Sequence, residues 1–350
     1  MVLQPSSSRA HRKRGDPVFF PGFPPSRCSA RMTIIYVLKE TMKKNSKILI
    51  TGSTGMIGSS LVRLLKKQDF TNLLTPTHEQ LELCDQKKVS DYFKRNKPEY
   101  VFHLAAVVGG IHANNERPGD FIIQNTVMQN NVISAAYEYG AKKLLFPGSA
   151  CTYPKMAKQP IAESEFLNGQ IEPTNIAYAA AKINGIVLCQ SYKKQFGFNT
   201  VVPMPTNTYG VGDNFDPKQS HVIPSLMKRF HEARKKKLKS VEIWGTGKPL
   251  REFLFVDDLA DALVFLIKNH NSAEIINVGT MKEITIAKLA TEIAKVVGYK
   301  GKILFDKTKP DGAPRKCLNS KKLLDMGWKP SITLQNGLKR MYKHHFEGKK

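Results

Sequence analysis

Short, almost unbroken apolar runs recur along this chain, separated by longer segments in which apolar residues return every three or four positions. Lys47–Thr51, Asn72–Thr75, Tyr100–Ala106, Lys143–Pro147 and Thr200–Met204 are of the first kind, the pattern of parallel strands buried on both faces. Leu61–Lys67, Val89–Arg95, Phe121–Tyr139 and the Ala-rich stretch around Tyr178 are of the second and predict helices. Their alternation predicts an α/β fold, a doubly wound parallel sheet with ligands at the carboxyl ends of its strands. Beyond residue 210 the pattern is less regular. A basic helix over Leu226–Lys237, a strand at Ser240–Gly245, a segment from Arg251 into a helix ending at Lys268, Ile275–Val278, a helix at Ile286–Val297, a strand at Lys302–Phe305 and a Pro/Gly-rich loop to Lys316 follow in turn. The division expected is a disordered basic leader (1–46), a nucleotide-binding domain (mainly 47–210), a smaller C-terminal α/β substrate domain (mainly 211–345, with the chain crossing back near 251–278) and a tail (346–350).

The first strand runs directly into Gly52-Ser53-Thr54-Gly55-Met56-Ile57-Gly58 and then a helix. Strand, glycine turn and helix in that order form a dinucleotide-binding fingerprint of the Rossmann type. Gly52 permits the tight turn, Gly55 lets a pyrophosphate approach the backbone, and Gly58 lets helix and strand pack closely. The helix N-terminus then offers free N–H groups and a positive dipole end to the phosphates. The second strand runs into Thr75-Pro76-Thr77-His78 with no acid before Glu79. An acid at that point would bind a ribose 2′-hydroxyl and repel a 2′-phosphate, so its absence favours NADP, although no Arg is present to grip the phosphate. Ala105 and Ala106, small residues ending the third strand, suit a place where backbone meets cofactor.

Tyr178 and Lys182 lie four apart in Pro173-Thr-Asn-Ile-Ala-Tyr-Ala-Ala-Ala-Lys182, one helix face if the segment is helical. An ammonium beside a phenol stabilises phenolate and would lower its pKa, which suits a proton donor working near neutral pH. The spacing alone is weak, since Tyr139 and Lys143 repeat it with no chemistry around them. Ser149 and Cys151, just after an apolar strand, give Tyr178 the company that Tyr139 lacks.

A net charge of +25 exceeds what a soluble enzyme needs, and residues 1–46 contribute nine Lys/Arg against two Asp/Glu. No nucleic-acid motif accompanies it, so the excess reads as a solvated Lys-rich surface and no nucleic-acid partner is expected. Five cysteines without short pairing or zinc spacing predict no disulfide scaffold, no metal site and a reducing compartment. No apolar run reaches the roughly 18 residues of a membrane span. A soluble cytoplasmic enzyme is expected. The leader reads either as an organelle-targeting sequence or as an upstream start, with Met42 just before the first strand.

Residues 47–345 resemble the extended short-chain dehydrogenase/reductase family, and within it the subfamily that makes GDP-L-fucose. The resemblance rests on Val108-Gly-Gly-Ile-His-Ala-Asn-Asn115, Gly148-Ser-Ala-Cys151, Tyr178-x3-Lys182, Pro205-Thr-Asn207, Asp213-Asn-Phe215, Ser220-His-Val-Ile-Pro224, Arg251-Glu-Phe253 and Lys309-Pro-Asp-Gly312. It implies a homodimer that uses NADPH for 3,5-epimerisation and C4 reduction of GDP-4-keto-6-deoxy-D-mannose. It further implies Ser149, Tyr178 and Lys182 as the reductase triad, and Cys151 as base with His221 as acid in the epimerisation. Arg229, Trp244, Arg251, Asp311 and Lys316 match substrate positions. Gly52 to Gly58, His78, Ala105, Ala106, Pro147, Gly148, Lys182, Pro205, Thr206, Asn207, Thr208 and His221 match cofactor positions. Two departures touch the cofactor: Thr54 replaces a basic residue of the glycine loop, and His78 stands where relatives carry Arg or another residue. Competing expectations are a 4-epimerase or 4,6-dehydratase of the same fold, or an RNA-binding scaffold. A dehydratase would carry an acidic pair where Cys151 stands.

Overall fold

The computed structural model of the chain describes residues 42–348, save residues 218 and 310 and the side chains of 111 and 112. The leader expected over 1–41 and the tail residues 349–350 therefore lie outside the described residues. Residues 42–46, counted above with the leader, are part of the packed fold. Met42 is buried beside the first strand, and Ser46 Oγ accepts from the Lys43 amide at 3.0 Å.

In chain order the elements are β1 (Ile48–Thr51), α1 (Met56–Lys67), β2 (Leu73–Leu74), α2 (Gln86–Asn96), β3 (Tyr100–His103), α3 (Ile111–Glu116), α4 (Pro118–Glu138), β4 (Lys143–Leu145), α5 (Ile176–Phe196) and β5 (Thr200–Pro205). There follow β6 (Asn207–Tyr209), α6 (Val222–Lys235), β7 (Ser240–Trp244), β8 (Leu250–Phe255), α7 (Val256–Asn269), β9 (Ile275–Val278), β10 (Glu283–Thr285), α8 (Ile286–Val297), β11 (Lys302–Asp306), β12 (Arg315–Lys316), α9 (Lys321–Asp325) and α10 (Leu334–Tyr342). Strands β2-β1-β3-β4-β5-β9 make a parallel six-stranded sheet in that order. Alternate side chains serve its two faces, as the two-residue strand period requires. Leu49, Val101, Leu144 and Val202 join Phe93 of α2, Ile133 of α4 and Ile186 of α5 on one side. Ile48, Ile50, Phe102 and Val201 join Leu61 and Leu65 of α1 and Leu259, Leu263 and Ile267 of α7 on the other. Burial on both faces is why these strands read as unbroken apolar runs.

The strand order reverses between β1 and β3, which opens a crevice at their carboxyl ends. A separate core, built on Phe230 of α6, Phe255 of β8, Ile293 of α8 and Leu338 of α10, supports the second set of strands. There β8 pairs with β6 and β12 in parallel and with β10 antiparallel, while β7 pairs with β11. The segment after Gly110 forms the short helix α3. Glu252 of β8 is a carboxylate with no exposed surface in an apolar strand. It accepts hydrogen bonds from the amides of Thr280, Met281 and Leu318 at 2.5, 2.7 and 2.9 Å, tying three segments together. Among the described residues no helix is long and apolar enough to cross a membrane.

Candidate active site

The crevice begins with the glycine turn. Gly52 holds φ at +67°, and a Cβ there would sit 2.7 Å from the amide nitrogen of Ala105. The turn after β1 thus rests directly on the loop after β3. A Cβ on Gly58 would fall 2.0 Å from the Gly52 carbonyl oxygen, so helix and turn close only without a side chain there. Gly55 precedes α1 without any side-chain cap, and the first helical turn contains no acid. Its N–H groups remain available to an anion. Ser53 is buried, Thr54 and Gly55 form the exposed rim, and Met56 and Ile57 open the helix. Beneath the turn, Thr51 Oγ1 lies 2.7 Å from His103 Nδ1, and burial lowers the His103 pKa to about 3, so the ring is neutral. Ala105 and Ala106 line the facing loop, and the Ala105 amide reaches Thr51 Oγ1 at 3.3 Å.

Other cofactor candidates stand at the ends of β4 and β5. Pro147 and Gly148 are buried, and a Cβ on Gly148 would meet Met204 Sδ at 2.3 Å. Pro205 ends β5, the Thr206 amide donates to Val278 O at 3.0 Å, Asn207 Nδ2 donates to Glu252 O at 2.9 Å, and Thr208 Oγ1 donates to Thr206 O at 3.1 Å. His78 is largely exposed, its Nε2 3.0 Å from a Glu82 carboxylate oxygen.

The residues after β4 meet α5. Ser149 Oγ accepts from the Cys151 amide at 3.2 Å and is hydrogen-bonded to the Tyr178 side chain. Tyr178 stands edge-on to Phe121 of α4 at 6.4 Å. Gly185, one turn beyond Lys182, admits Phe146, since a Cβ would meet that ring at 2.5 Å. Lys182 is buried. Its ammonium donates to Pro147 O at 2.9 Å and lies 4.5 Å over the Phe146 ring but 6.0 Å from the Tyr178 ring centroid. Burial lowers its pKa from 10.5 to about 8. The expected effect on the phenol is not present in this state. Burial, with the nearby Cys151, drives the Tyr178 pKa upward, opposed by the Ser149 hydrogen bond. The cause is geometric: the ammonium is committed to a carbonyl rather than to the phenol oxygen. The decoy pair is pulled apart. Tyr139 bonds Ser90 Oγ at 2.6 Å, while Lys143 lies on a strand and donates to Asn271 Oδ1 at 2.8 Å.

Four of the five substrate candidates, Arg229, Trp244, Arg251 and Asp311, line one pocket of about 240 Å3. Burial lowers the pKa of both guanidiniums. Charge that is partly desolvated in this way is stabilised by an anion, and guanidinium matches phosphate geometry. Trp244 is exposed with Lys309 Nζ 5.8 Å above its ring. Asp311 accepts from the Thr246 hydroxyl at 2.6 Å and amide at 2.9 Å, contacts that hold its pKa below the carboxylate norm. Lys316 is not in this pocket. Its backbone pairs with Arg251, and its ammonium reaches Cys151 Sγ at 3.8 Å. Thus the thiol after β4 meets a cation 165 residues later in the chain, which no sequence motif had indicated. His221 stands immediately before α6, next to the pocket-lining Val222. His221 is an exposed residue, and desolvation of its ring lowers its pKa. Two structural residues were also not assigned from sequence, Glu252 and Thr246. For Glu252 the available signal was one acid inside an apolar strand.

Comparison with known proteins identifies the family. Residues 48–279 match the NAD dependent epimerase/dehydratase family model. A putative GDP-L-fucose synthase 2 of Arabidopsis thaliana is 52% identical over 306 residues, covering 87% of this chain and 93% of that protein. The GDP-L-fucose synthase of Escherichia coli K12 is 47% identical over 310 residues, covering 86% and 97%. The crystal structure of a Naegleria fowleri GDP-L-fucose synthetase bound to NADP superposes with a TM-score of 0.81 at 29% identity, over 88% of this chain and 95% of that one. The chain belongs to the NAD dependent epimerase/dehydratase family, in its GDP-L-fucose synthase branch.

Proposed function

We propose that the chain converts GDP-4-keto-6-deoxy-D-mannose to GDP-L-fucose, by inversion at C3 and C5 and then NADPH-dependent reduction at C4. The observation that carries this is the meeting of Ser149, Cys151 and Tyr178 beside Lys182, with a guanidinium pocket joined to them through the Arg251–Lys316 strand pairing. The glycine turn suits NADP's pyrophosphate, because both Gly52 and Gly58 occupy positions a Cβ would fill. When bound, NADPH supplies the hydride for C4.

The C4 ketone acidifies the protons on C3 and C5. Cys151 takes each proton from one face and His221 returns one to the other, while the Ser149 and Tyr178 hydroxyls hold the oxygen on which charge develops. Lys316 offsets negative charge on the sulfur. The diphosphate, held by Arg229 and Arg251, brings negative charge toward His221 and favours the imidazolium that the acid role needs. In the reduction Tyr178 gives its proton to the C4 oxygen, and the high pKa of the buried phenol keeps that proton in place until charge arrives. Lys182 then faces the negative phenol.

We further propose a homodimer. Ile122 and Ile123 of α4 and Ile176 and Val187 of α5 are 41, 58, 56 and 40% exposed, large apolar side chains left open on two helices that pack on each other. The test of function is to incubate the purified chain with the ketosugar and NADPH or NADH, then identify the sugar by NMR. GDP-L-fucose formed faster with NADPH is the expected result. A reduced sugar still carrying the original C3 and C5 configuration would refute the double reaction.

A further inference from the structure

His221 sits at the junction of two parts, the loop 210–220 that leads into it and the helix α6 that it precedes. A Cβ on Gly212 would lie 3.6 Å from Met56 Cα at the start of α1, so this end rests on the cofactor helix. At its other end Gln219 O accepts from the Gly110 amide at 3.0 Å, joining the loop to the segment that begins α3. Between these points Phe215 is buried, with 7% of its surface exposed. Its cover comes from the last residues of the chain.

The His345 ring stacks on Phe215 at 3.7 Å and 14°, and Phe346 meets the same ring edge-on at 5.4 Å and 87°. Phe346 also stacks on His231 of α6 at 4.1 Å and 21°, and packs on Tyr342 at 5.2 Å. The Tyr342 hydroxyl lies 2.9 Å from His231 Nδ1. One side chain, Phe346, therefore touches both the loop and the helix that meet at His221. His231 lies about 15 Å along α6 from His221, at 1.5 Å per residue over ten residues. Holding a helix at that lever arm and its leading loop at Phe215 fixes the direction of the chain at His221.

We propose that Phe346, with His345, is a positioning residue for His221: the C-terminal rings clamp loop 210–220 to α6 and so set the geometry of proton delivery during inversion. This rests on the assignment of His221 as the acid of that step. A displacement on the order of 1 Å at a reacting group can cost about a hundredfold in rate, and the proton donor of the reduction, Tyr178, sits on a different element, α5. Phe346 is only partly buried and packs on the margin of the C-terminal core.

The experiment compares Phe346→Ala, Phe346→Tyr and the exposed control His344→Ala with the parent. Three quantities are read: inversion at C3 and C5 without NADPH by NMR, reduction of already inverted ketosugar with NADPH, and amide hydrogen exchange. For Phe346→Ala we expect inversion to fall about tenfold or more, reduction to change less than about threefold, and exchange to quicken at Gly110 and over 211–221. Phe346→Tyr should restore all three, and His344→Ala should match the parent. Equal loss of inversion and reduction, unchanged inversion, or unchanged exchange over 211–221 would each overturn the proposal. If the parent itself inverts nothing, the functional assignment fails and the acid-positioning role falls with it, while the exchange data still decide whether Phe346 holds the loop.

Discussion

Replacing Lys182 by Met should remove the reductase activity and yet leave the fold as stable as before, or more so, near neutral pH. Lys182 is 5% exposed, and burial brings its pKa from 10.5 to about 8. A displacement of 2.5 pKa units is worth about 3 kcal/mol. Because the folded value lies below the unfolded one, the cost falls on the charged form. It is fully present below pH 8 and fades as pH rises from about 8 toward 10.5. Met has similar length and carries no such cost. Against this gain, the substitution leaves the Pro147 carbonyl without its 2.9 Å donor, about 1–2 kcal/mol, and loses the ammonium over Phe146, about 1 kcal/mol.

The balance at pH 7 is between zero and about 1 kcal/mol in favour of the variant. By pH 10 most of the ammonium's cost is gone from the parent, and the variant should be the less stable by about 1–2 kcal/mol. For a fold of this size 1 kcal/mol corresponds to about 1.5 °C in Tm. Calorimetry of both ligand-free proteins from pH 7 to pH 10 should therefore show the difference in Tm change by about 3–4 °C and reverse in sign. A difference that stays flat across that range would refute the argument that burial depresses this ammonium. Such a result would also remove the reason for regarding Lys182 as stability given up for function.

Cys151→Ser should block inversion at C3 and C5, with solvent deuterium no longer entering those carbons, while already inverted ketosugar is still reduced. Normal deuterium entry would remove Cys151 from its role. Glu252→Ala should strip a buried acceptor from three amides, costing about 4 kcal/mol and lowering Tm by about 6 °C; differential scanning calorimetry checks it. Gly58→Ala should abolish NADPH binding measured by fluorescence, since the new methyl would overlap the Gly52 carbonyl oxygen at 2.0 Å, and tight binding by a folded variant would contradict the packing account of that turn.

The fold was legible because its central strands are covered on both faces. That condition leaves apolar runs such as Lys47–Thr51 and Tyr100–His103 with no polar side to disguise them, and the glycine turn between β1 and α1 marks the crevice between them. Arg229, Trp244, Arg251 and Asp311 were named as substrate candidates through motif order, and they line one pocket. The remainder depends on distances that no spacing encodes. Tyr178/Lys182 and Tyr139/Lys143 have the same interval, but the first pair shares a helix and the second is split between a helix end and a strand. The meeting of Lys316 with Cys151 spans 165 residues. The direction of the Tyr178 shift was misread for a related reason. An interval of four puts an ammonium on the same helix face as a phenol but does not say which acceptor the ammonium chooses, nor how much water remains around the phenol. Here the ammonium chooses Pro147, and burial of the phenol outweighs any charge that reaches it. The site accordingly holds a protonated phenol and a lysine charged but close to titration. This is the protonation state needed before a proton is given to a C4 oxygen, rather than after.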